Sequence, residues 1–274
     1  MATAFPDTAV LESVLDLAAY APSARNAQPW QWYVDEHSVQ LFADWERRLG
    51  DSEADRRDVL LGCGAVLHHC AVALAAAGWA SRIQRFPDDD GMLARVALDP
   101  RPAGNGSRDL AGAISRRRSD RRPFGGALPA GTLELLVIRA ERFGVELAVV
   151  PSIRWARVDA DRFALSYGDR PPDRADDDAV MLVLATGTDT DVMRLRAGEA
   201  LSDLTLAAAA LGLASCPLTD PLREQRNRLA LACEVFDGEA HPQALIRIGS
   251  AISGDPIPPV PRRSVAETTT FHLN

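Results

Sequence analysis

The strongest pattern of hydrophobic positions is a pair of long alanine- and leucine-rich stretches, one in each half of the chain. Residues 64–81 align without gaps on residues 198–215, with eight identities and a constant offset of 134 residues. Gly78 and Gly212 stand near the end of each stretch, and glycine enters the left-handed conformation that ends many helices at the least steric cost. We therefore predict a duplicated, buried helix whose two copies pair at the centre of a molecule with approximate two-fold symmetry.

Shorter apolar patterns around these stretches predict further helices and strands. The predicted helices cover residues 11–20, 108–118, 131–143 and 221–235. The predicted strands cover residues 31–34, 39–43, 82–86, 93–98, 146–150, 180–185 and 244–249, and the first two are spaced as a hairpin. Helices and strands mix without strict βαβ alternation, which favours an α+β fold. A proline-, glycine- and asparagine-rich run at 99–107 predicts a boundary between two halves, residues 1–105 and 106–274.

Composition excludes several classes of protein. The chain has 274 residues, 47% of them hydrophobic and 25% charged, which is typical of a folded globular protein. Its net charge is -8, and all 30 basic residues are arginine, which argues against general nucleic-acid binding. The four cysteines have no CxxC spacing, as expected of structural thiols in a reducing compartment.

The chain carries no sequence signal for a membrane. The N-terminus has no basic region leading into an apolar one, and the longest apolar stretch, near residues 70–78, is too short to cross a bilayer. We expect a cytoplasmic protein without a membrane partner.

Positive charge is concentrated in the sequence SRRRSDRRPF. Five of its residues are arginines that fall within seven positions: Arg116, Arg117, Arg118, Arg121 and Arg122. Arginine forks match phosphate oxygens, and Ser119 adds a hydroxyl donor. The segment predicts an anion site, although a solvated basic helix end would have the same composition.

A second polar cluster follows the first predicted helix, in the sequence APSARNAQPW at residues 21–30. It offers Ser23, Arg25, Asn26 and Gln28 on one turn. Such a turn can present amides and side chains to a polar heteroaromatic ligand. Proline, serine and asparagine also occur in turns for purely conformational reasons, so this cluster alone leaves both interpretations open.

Together these motifs resemble those of the nitroreductase family of flavin-dependent oxidoreductases. SRRRSDRRPF resembles the basic flavin-phosphate motif, APSARNAQPW the Pro-Ser-x-x-Asn-x-Gln-Pro-Trp loop, ALGLASCPLTD the flavin-edge segment, and PVPRRSV the C-terminal basic pair. The loop precedes the phosphate motif here, as in the fused, Acg-like branch in which one chain imitates a dimer. The resemblance implies a nitroreductase-like α+β fold with two halves forming a pseudo-dimer, and the repeat offset independently supports the fusion.

The resemblance assigns the FMN phosphate and ribityl chain to the second half. It implies that Arg117, Ser119 and Arg121 hold this part of the cofactor, assisted by Arg262 or Arg263. The first half has no basic counterpart at residues 17–22. Only one of the two pseudo-symmetric sites should therefore be complete, and a monomer should suffice to build it, with higher oligomers still possible.

The resemblance assigns the flavin ring to two other segments. The residues implied to face the ring from the first half are Ser23, Arg25 and Asn26. Those implied to line the ring edge are Pro217, Leu218 and Thr219. No catalytic side chain is identified, because in such an enzyme the flavin performs the hydride chemistry.

The expected function is that of an NAD(P)H oxidoreductase that uses FMN to reduce nitroaromatic, quinone-like or other electron-poor acceptors. Two alternatives stay open: a protein that binds or sequesters flavin with little turnover, and a scaffold whose arginines bind an acidic partner. A dinucleotide site at Gly62 and Gly64 is disfavoured because no buried strand precedes them. His68 and His69 lie between two cysteines in an alanine-rich helix, where packing is favoured over a metal site.

Overall fold

The computed structural model describes residues 5–87, 90–102, 104–125, 127–159, 162–167, 177–251 and 255–272. The helices are α1 (Thr8–Ala18), α2 (Glu53–Ala76), α3 (Asn105–Ile114), α4 (Thr132–Glu141), α5 (Asp191–Ala210), α6 (Gln225–Phe236) and α7 (Val265–Thr268). The strands are β1 (Trp30–Val34), β2 (Ser38–Ala43), β3 (Trp79–Arg85), β4 (Met92–Pro100), β5 (Phe124–Gly125), β6 (Glu146–Val149), β7 (Trp155–Arg157), β8 (Phe163–Leu165), β9 (Val180–Thr186), β10 (Ala214–Leu218), β11 (His241–Ala251) and β12 (Thr269–Phe271).

The chain divides into two compact units. Unit 1 comprises residues 1–116 and 260–274, and unit 2 comprises residues 117–259. The C-terminal segment thus returns to the first unit, where β12 pairs in parallel with β1.

Unit 1 contains a five-stranded sheet in the order β12-β1-β2-β4-β3. The predicted hairpin is confirmed, since β1 pairs antiparallel with β2. Trp30, Trp32 and Val34 of β1 are buried and alternate with half-buried residues, so the aromatic side chains on this face belong to the core. Helices α1 and α3 both pack on α2.

Unit 2 contains an antiparallel sheet in the order β10-β11-β9-β6, with β5 paired to β11 and a separate β7-β8 hairpin. Helix α5 packs on β9, β10 and β11, and α4 packs on α5 and β6. Arg139 of α4 forms a bidentate ion pair with the buried Asp203 of α5, with both N–O distances 2.7 Å. The pair fixes these two helices against each other.

The internal repeat extends over the topology of both units. In unit 1 the order along the chain is α1, β1, β2, α2, β3, β4. In unit 2 it is α4, β6, β9, α5, β10, β11, with β7 and β8 inserted before β9 and α6 inserted before β11. The pairing order β1-β2-β4-β3 matches β6-β9-β11-β10. Helices α2 and α5 end 134 residues apart, and Gly78 (φ 89°) and Gly212 (φ 75°) follow them in the left-handed conformation. The duplication predicted for one helix therefore extends to four strands and one further helix in each unit.

Helix α2 is longer than its apolar stretch at 70–78 indicates. By length and composition alone it could cross a membrane, but most of its residues are buried by the rest of the chain. It begins at a capping box formed by Ser52 and Asp55, which extends the helix through the charged turn before the apolar stretch. Its burial is that of a helix at the core of unit 1.

Candidate functional site

The basic segment of unit 2 lies along strand β10. Ser119 forms a parallel bridge with Ser215, and the amide of Asp120 donates to the carbonyl of Ser215 at 2.9 Å. Helix α3 ends at Ile114, so the arginines follow the helix and are not part of its last turn. The structure therefore brings the segment with Arg117, Ser119 and Arg121 to the strand that carries Pro217 and Leu218 and ends just before Thr219, the three predicted ring-edge residues.

The arginines of this segment have different environments. Arg122 is paired with the buried Asp120 through two hydrogen bonds, Nε to Oδ1 at 3.0 Å and Nη2 to Oδ2 at 2.9 Å. Arg117 is itself 4% exposed, and its Nη1 lies 3.4 Å from the Ser119 hydroxyl. Arg122 is held by Asp120, and Arg117 donates to the Ser119 hydroxyl.

A fully buried arginine holds the main chain of the basic segment. Arg247 of β11 pairs with the buried Asp177 at 3.1 Å and lies 3.9 Å and 4.6 Å from the ring centroids of Phe124 and Phe163. Its guanidinium donates to the carbonyls of Asp120, at 3.5 Å, and Arg122. Burial lowers the pKa of Arg247 and Asp177 opposes that shift. The segment is thus anchored from inside unit 2.

Cys216 lies beneath this positive charge. The side chain is fully buried, and burial raises the pKa of its thiol to about 11, although the charges of Arg121, Arg247 and Arg117 act in the opposite direction. Burial, together with the nearby Asp120 carboxylate, outweighs the three arginines, so the thiol stays neutral near pH 7. Cys216 is a packing residue in the free protein.

The polar loop of unit 1, residues 21–30, is strained. Three of its non-glycine residues have left-handed backbone conformations: Arg25 (φ 47°), Asn26 (φ 56°) and Gln28 (φ 50°). Each such residue costs on the order of 1–3 kcal/mol, so the surroundings must hold it, and strain of this kind clusters at functional sites. Ser23 contributes by accepting the amide of Gln28 on its hydroxyl at 3.0 Å.

The loop also lies against α2 at a glycine. A Cβ atom at Gly62 would come within 3.3 Å of Pro29 and of the Cβ of Ser23. The thiol of Cys63 donates to the carbonyl of Pro29 at 3.1 Å. Gly62 therefore permits close packing of the loop on the helix, which gives this glycine a role within unit 1 that requires no dinucleotide.

Residues of the C-terminal segment meet the loop across more than 230 positions of sequence. Asn26 Nδ2 donates to the carbonyl of Pro261 at 3.0 Å, and Arg262 donates to Asn26 Oδ1 and to the carbonyl of Tyr20. The amide of Arg263 donates to Gln28 Oε1 at 2.8 Å. Within unit 1, Asn26 and Gln28 of the loop thus contact the segment that carries both arginines of the predicted C-terminal pair.

The residues that support both clusters were not part of the sequence prediction. They are Asp44, Asp177 and Arg247. Each acts through contacts distant in sequence or through burial, for which a single sequence gives no periodic signal.

Among the described residues, no group of three or more histidine, cysteine or acidic side chains could hold a metal ion.

Known proteins resemble the chain over nearly its whole length. It is 37% identical to "Putative NAD(P)H nitroreductase Rv3131" of Mycobacterium tuberculosis, covering 99% of this chain and 94% of that protein. It is 33% identical to "Putative NAD(P)H nitroreductase acg" of the same organism, covering 97% and 96%. The crystal structure of "a putative nitroreductase" from Anabaena variabilis matches 90% of both chains with a TM-score of 0.54 and 10% identity, which shows the same fold. No family model matches the chain.

The fold and these relatives define an α+β oxidoreductase of the nitroreductase type. The chain belongs to the nitroreductase family, and its curated relatives are of the Acg-like kind. The family resemblance and the α+β nitroreductase-like fold predicted from the sequence are both confirmed.

Proposed function

We propose that this chain is an FMN-dependent oxidoreductase that takes electrons from NADH or NADPH and passes them to a nitroaromatic, quinone-like or other electron-poor acceptor. The observation that carries the proposal is the basic segment along β10, anchored by the buried Arg247 and Asp177. Family membership indicates the class of reaction. The two polar clusters support the proposal that FMN is the cofactor.

The donors of the basic segment fit a phosphate monoester. Arg117 and Arg121 supply positive charge on a segment that bridges to β10 through Ser119 and Ser215. Ser119 is exposed and carries a hydroxyl that can donate to a phosphate oxygen or a ribityl hydroxyl. Arg262 is a further candidate for the phosphate in this proposal.

The strained loop fits the polar edge of a flavin ring. Ser23, Arg25 and Asn26 offer hydroxyl, guanidinium and amide groups on a backbone that a simple turn would not adopt. Pro217, Leu218 and Thr219 would contribute the ring-edge contacts. When bound, FMN would supply the hydride transfer, while these residues orient it and exclude water.

The pseudo-dimer remains part of the proposal. In this proposal the two units, which share one strand pairing order, take the places of the two subunits of a dimer. Helices α2 and α5 would be the paired central helices. The connection from α1 to β1 comprises residues 19–29 and contains most of the polar loop. The corresponding connection from α4 to β6 comprises only residues 142–145. One complete FMN site per chain follows, in a protein that we place in the cytoplasm and that needs no partner subunit for cofactor binding.

The purified protein, incubated with FMN and freed of excess cofactor, tests this proposal. We expect the absorption spectrum of an oxidised flavin, bleached by NADH or NADPH without oxygen and restored by a nitroaromatic or quinone. Retained flavin that neither nucleotide bleaches would favour a flavin-sequestering protein. Failure to retain or titrate with FMN would overturn the proposal.

A further inference from the structure

Arg263 is surrounded by oxygen atoms of unit 1. Its Nη1 donates to the carbonyls of Gln28 at 3.1 Å and Trp30 at 3.4 Å and pairs with Asp44 Oδ2 at 3.3 Å. Its Nη2 donates to the carbonyl of Glu267 at 2.9 Å, and the side chain is 13% exposed. The charge and most donors of this arginine are therefore already used within the unit.

These contacts close the end of the strained loop. The carbonyls of Gln28 and Trp30 flank Pro29, directly after the left-handed residues Arg25, Asn26 and Gln28. Gln28 and Trp30 are buried, so water cannot easily replace the guanidinium as their donor. The Arg263 amide adds a hydrogen bond to the side chain of Gln28. One residue thus fixes both the backbone and the side chain at this end.

We propose that Arg263 is a positioning residue: it holds the loop at residues 21–30 in its strained conformation and does not contact the FMN phosphate. The inference rests on the proposed function and assigns a different role to one arginine of the C-terminal pair. The ion pair with Asp44 distinguishes the two roles. It would anchor the side chain of a positioning arginine, but it would weaken the binding of phosphate by that arginine, because the carboxylate competes for the same guanidinium.

The first test needs no flavin. Hydrogen exchange of the free protein is compared between wild type and Arg263→Ala, followed at the amides of Asn26, Ala27, Gln28 and Trp30. All four amides donate within the loop. We expect faster exchange at these amides, with α5 of unit 2 unchanged. Unchanged exchange in the loop would overturn the proposal whether or not the protein binds FMN.

The second test compares FMN with riboflavin, which has the same ring but no phosphate. If Arg263→Ala leaves roughly a tenth of the molecules with the loop in the binding-competent conformation, both affinities fall about tenfold. The ratio of the two dissociation constants then stays as in wild type. A loss confined to FMN would assign Arg263 to the phosphate and contradict the positioning role. Wild-type protein that binds neither flavin would instead contradict the proposed function.

Asp44→Asn supplies the matched control and serves also if Arg263→Ala does not fold. Asp44 accepts hydrogen bonds from Arg263 and from Gln31 Nε2, and it lies outside the proposed cofactor contacts. A positioning role predicts a smaller but equal loss for both flavins. A phosphate role predicts tighter FMN binding relative to riboflavin, because the competing carboxylate is gone. Thermal unfolding of each variant identifies any loss that comes from general instability.

Discussion

Arg117 and Arg122 lie five positions apart, and their surroundings differ. Arg122 is fixed by Asp120 through two hydrogen bonds, while Arg117 is buried beside the Ser119 hydroxyl. The sequence could predict an anion site from the cluster of arginines. It could not predict how the main chain of this segment is anchored, because Arg247 and Asp177 reach the segment only through the fold.

Replacing Arg117 and Arg121 together by alanine should weaken FMN binding far more than riboflavin binding. Hydrogen bonds to charged groups contribute about 1.5–3 kcal/mol each, so losing both corresponds to roughly two to four orders of magnitude in FMN affinity if the effects add. Riboflavin has no phosphate to lose. Fluorescence titrations of both ligands against folded variants measure the contrast.

Arg116→Ala is the control for this variant, because it removes one positive charge from an adjacent, exposed position. It should change FMN affinity little. Equal losses of FMN and riboflavin in the double variant, with circular dichroism unchanged, would show that Arg117 and Arg121 do not bind phosphate.

The cysteines provide a second prediction for single residues. Burial raises the pKa of Cys70 to about 12 and of Cys216 to about 11, and it raises that of Cys63 further. At a pH below its pKa a thiol is mostly protonated, so these three cysteines carry little of the reactive thiolate at pH 8. Only Cys233, which is exposed, should be alkylated quickly by iodoacetamide. Peptide mass spectrometry over time tests this, and fast labelling of Cys216 would disprove its burial.

At the scale of elements, the helices and strands with strong hydrophobic periodicity were predicted correctly. Elements whose pattern or ends depend on a proline or on tertiary contacts were not. The duplicated helices, the β1-β2 hairpin and strands such as β9 and β11 are confirmed. Strand β10 was not predicted, since Pro217 interrupts its pattern. Proline is tolerated there because β10 is an edge strand of its sheet.

The helix predicted at 108–118 ends at Ile114, so that part of the prediction was wrong. A cluster of arginines has good helix propensity, but the chain turns after Ser115 and Ser119 bridges to β10. The helix predicted at 221–235 begins at Gln225, after a 3-10 turn that contains Pro221. Tertiary pairing in the first case and proline in the second moved these boundaries.

The contact of β11 with Phe124 allows a test at this scale. A Cβ atom at Gly249 would lie 2.7 Å from the Cβ of Phe124, whose ring packs on Arg247. Gly249→Ala should therefore lower the free energy of unfolding by about 1–3 kcal/mol, as overpacking does. It should also weaken FMN binding, because it displaces the basic segment. Urea unfolding and FMN titration measure the two effects.

Gly187→Ala is the matched control. Nothing lies within 4 Å of the Cβ that this substitution adds, and the position has no left-handed conformation. Its stability should be unchanged or slightly higher, because alanine restricts the unfolded chain. If both variants were equally stable, the close approach of β11 to Phe124 would not exist in solution.

At the scale of the whole molecule, duplication produced two units with equal topology but different connections. The sequence predicted the repeat from one helix, since alanine-rich helices keep recognisable identities. The surrounding strands are paired in the same order without an obvious sequence repeat. The loop at 19–29 occurs in unit 1, and the arginine cluster from Arg117 onwards occurs in unit 2. This division is the reason to expect one site in a chain with two similar units.

Calorimetric titration of flavin-free protein with FMN tests the central claim most directly. The account predicts a saturable transition with close to one FMN per chain, because each set of residues proposed to bind the cofactor occurs once. The same titration with Arg117→Ala and Arg121→Ala combined should lose most of that signal. No saturable binding to the wild-type protein, or a stoichiometry near two per chain, would contradict the account.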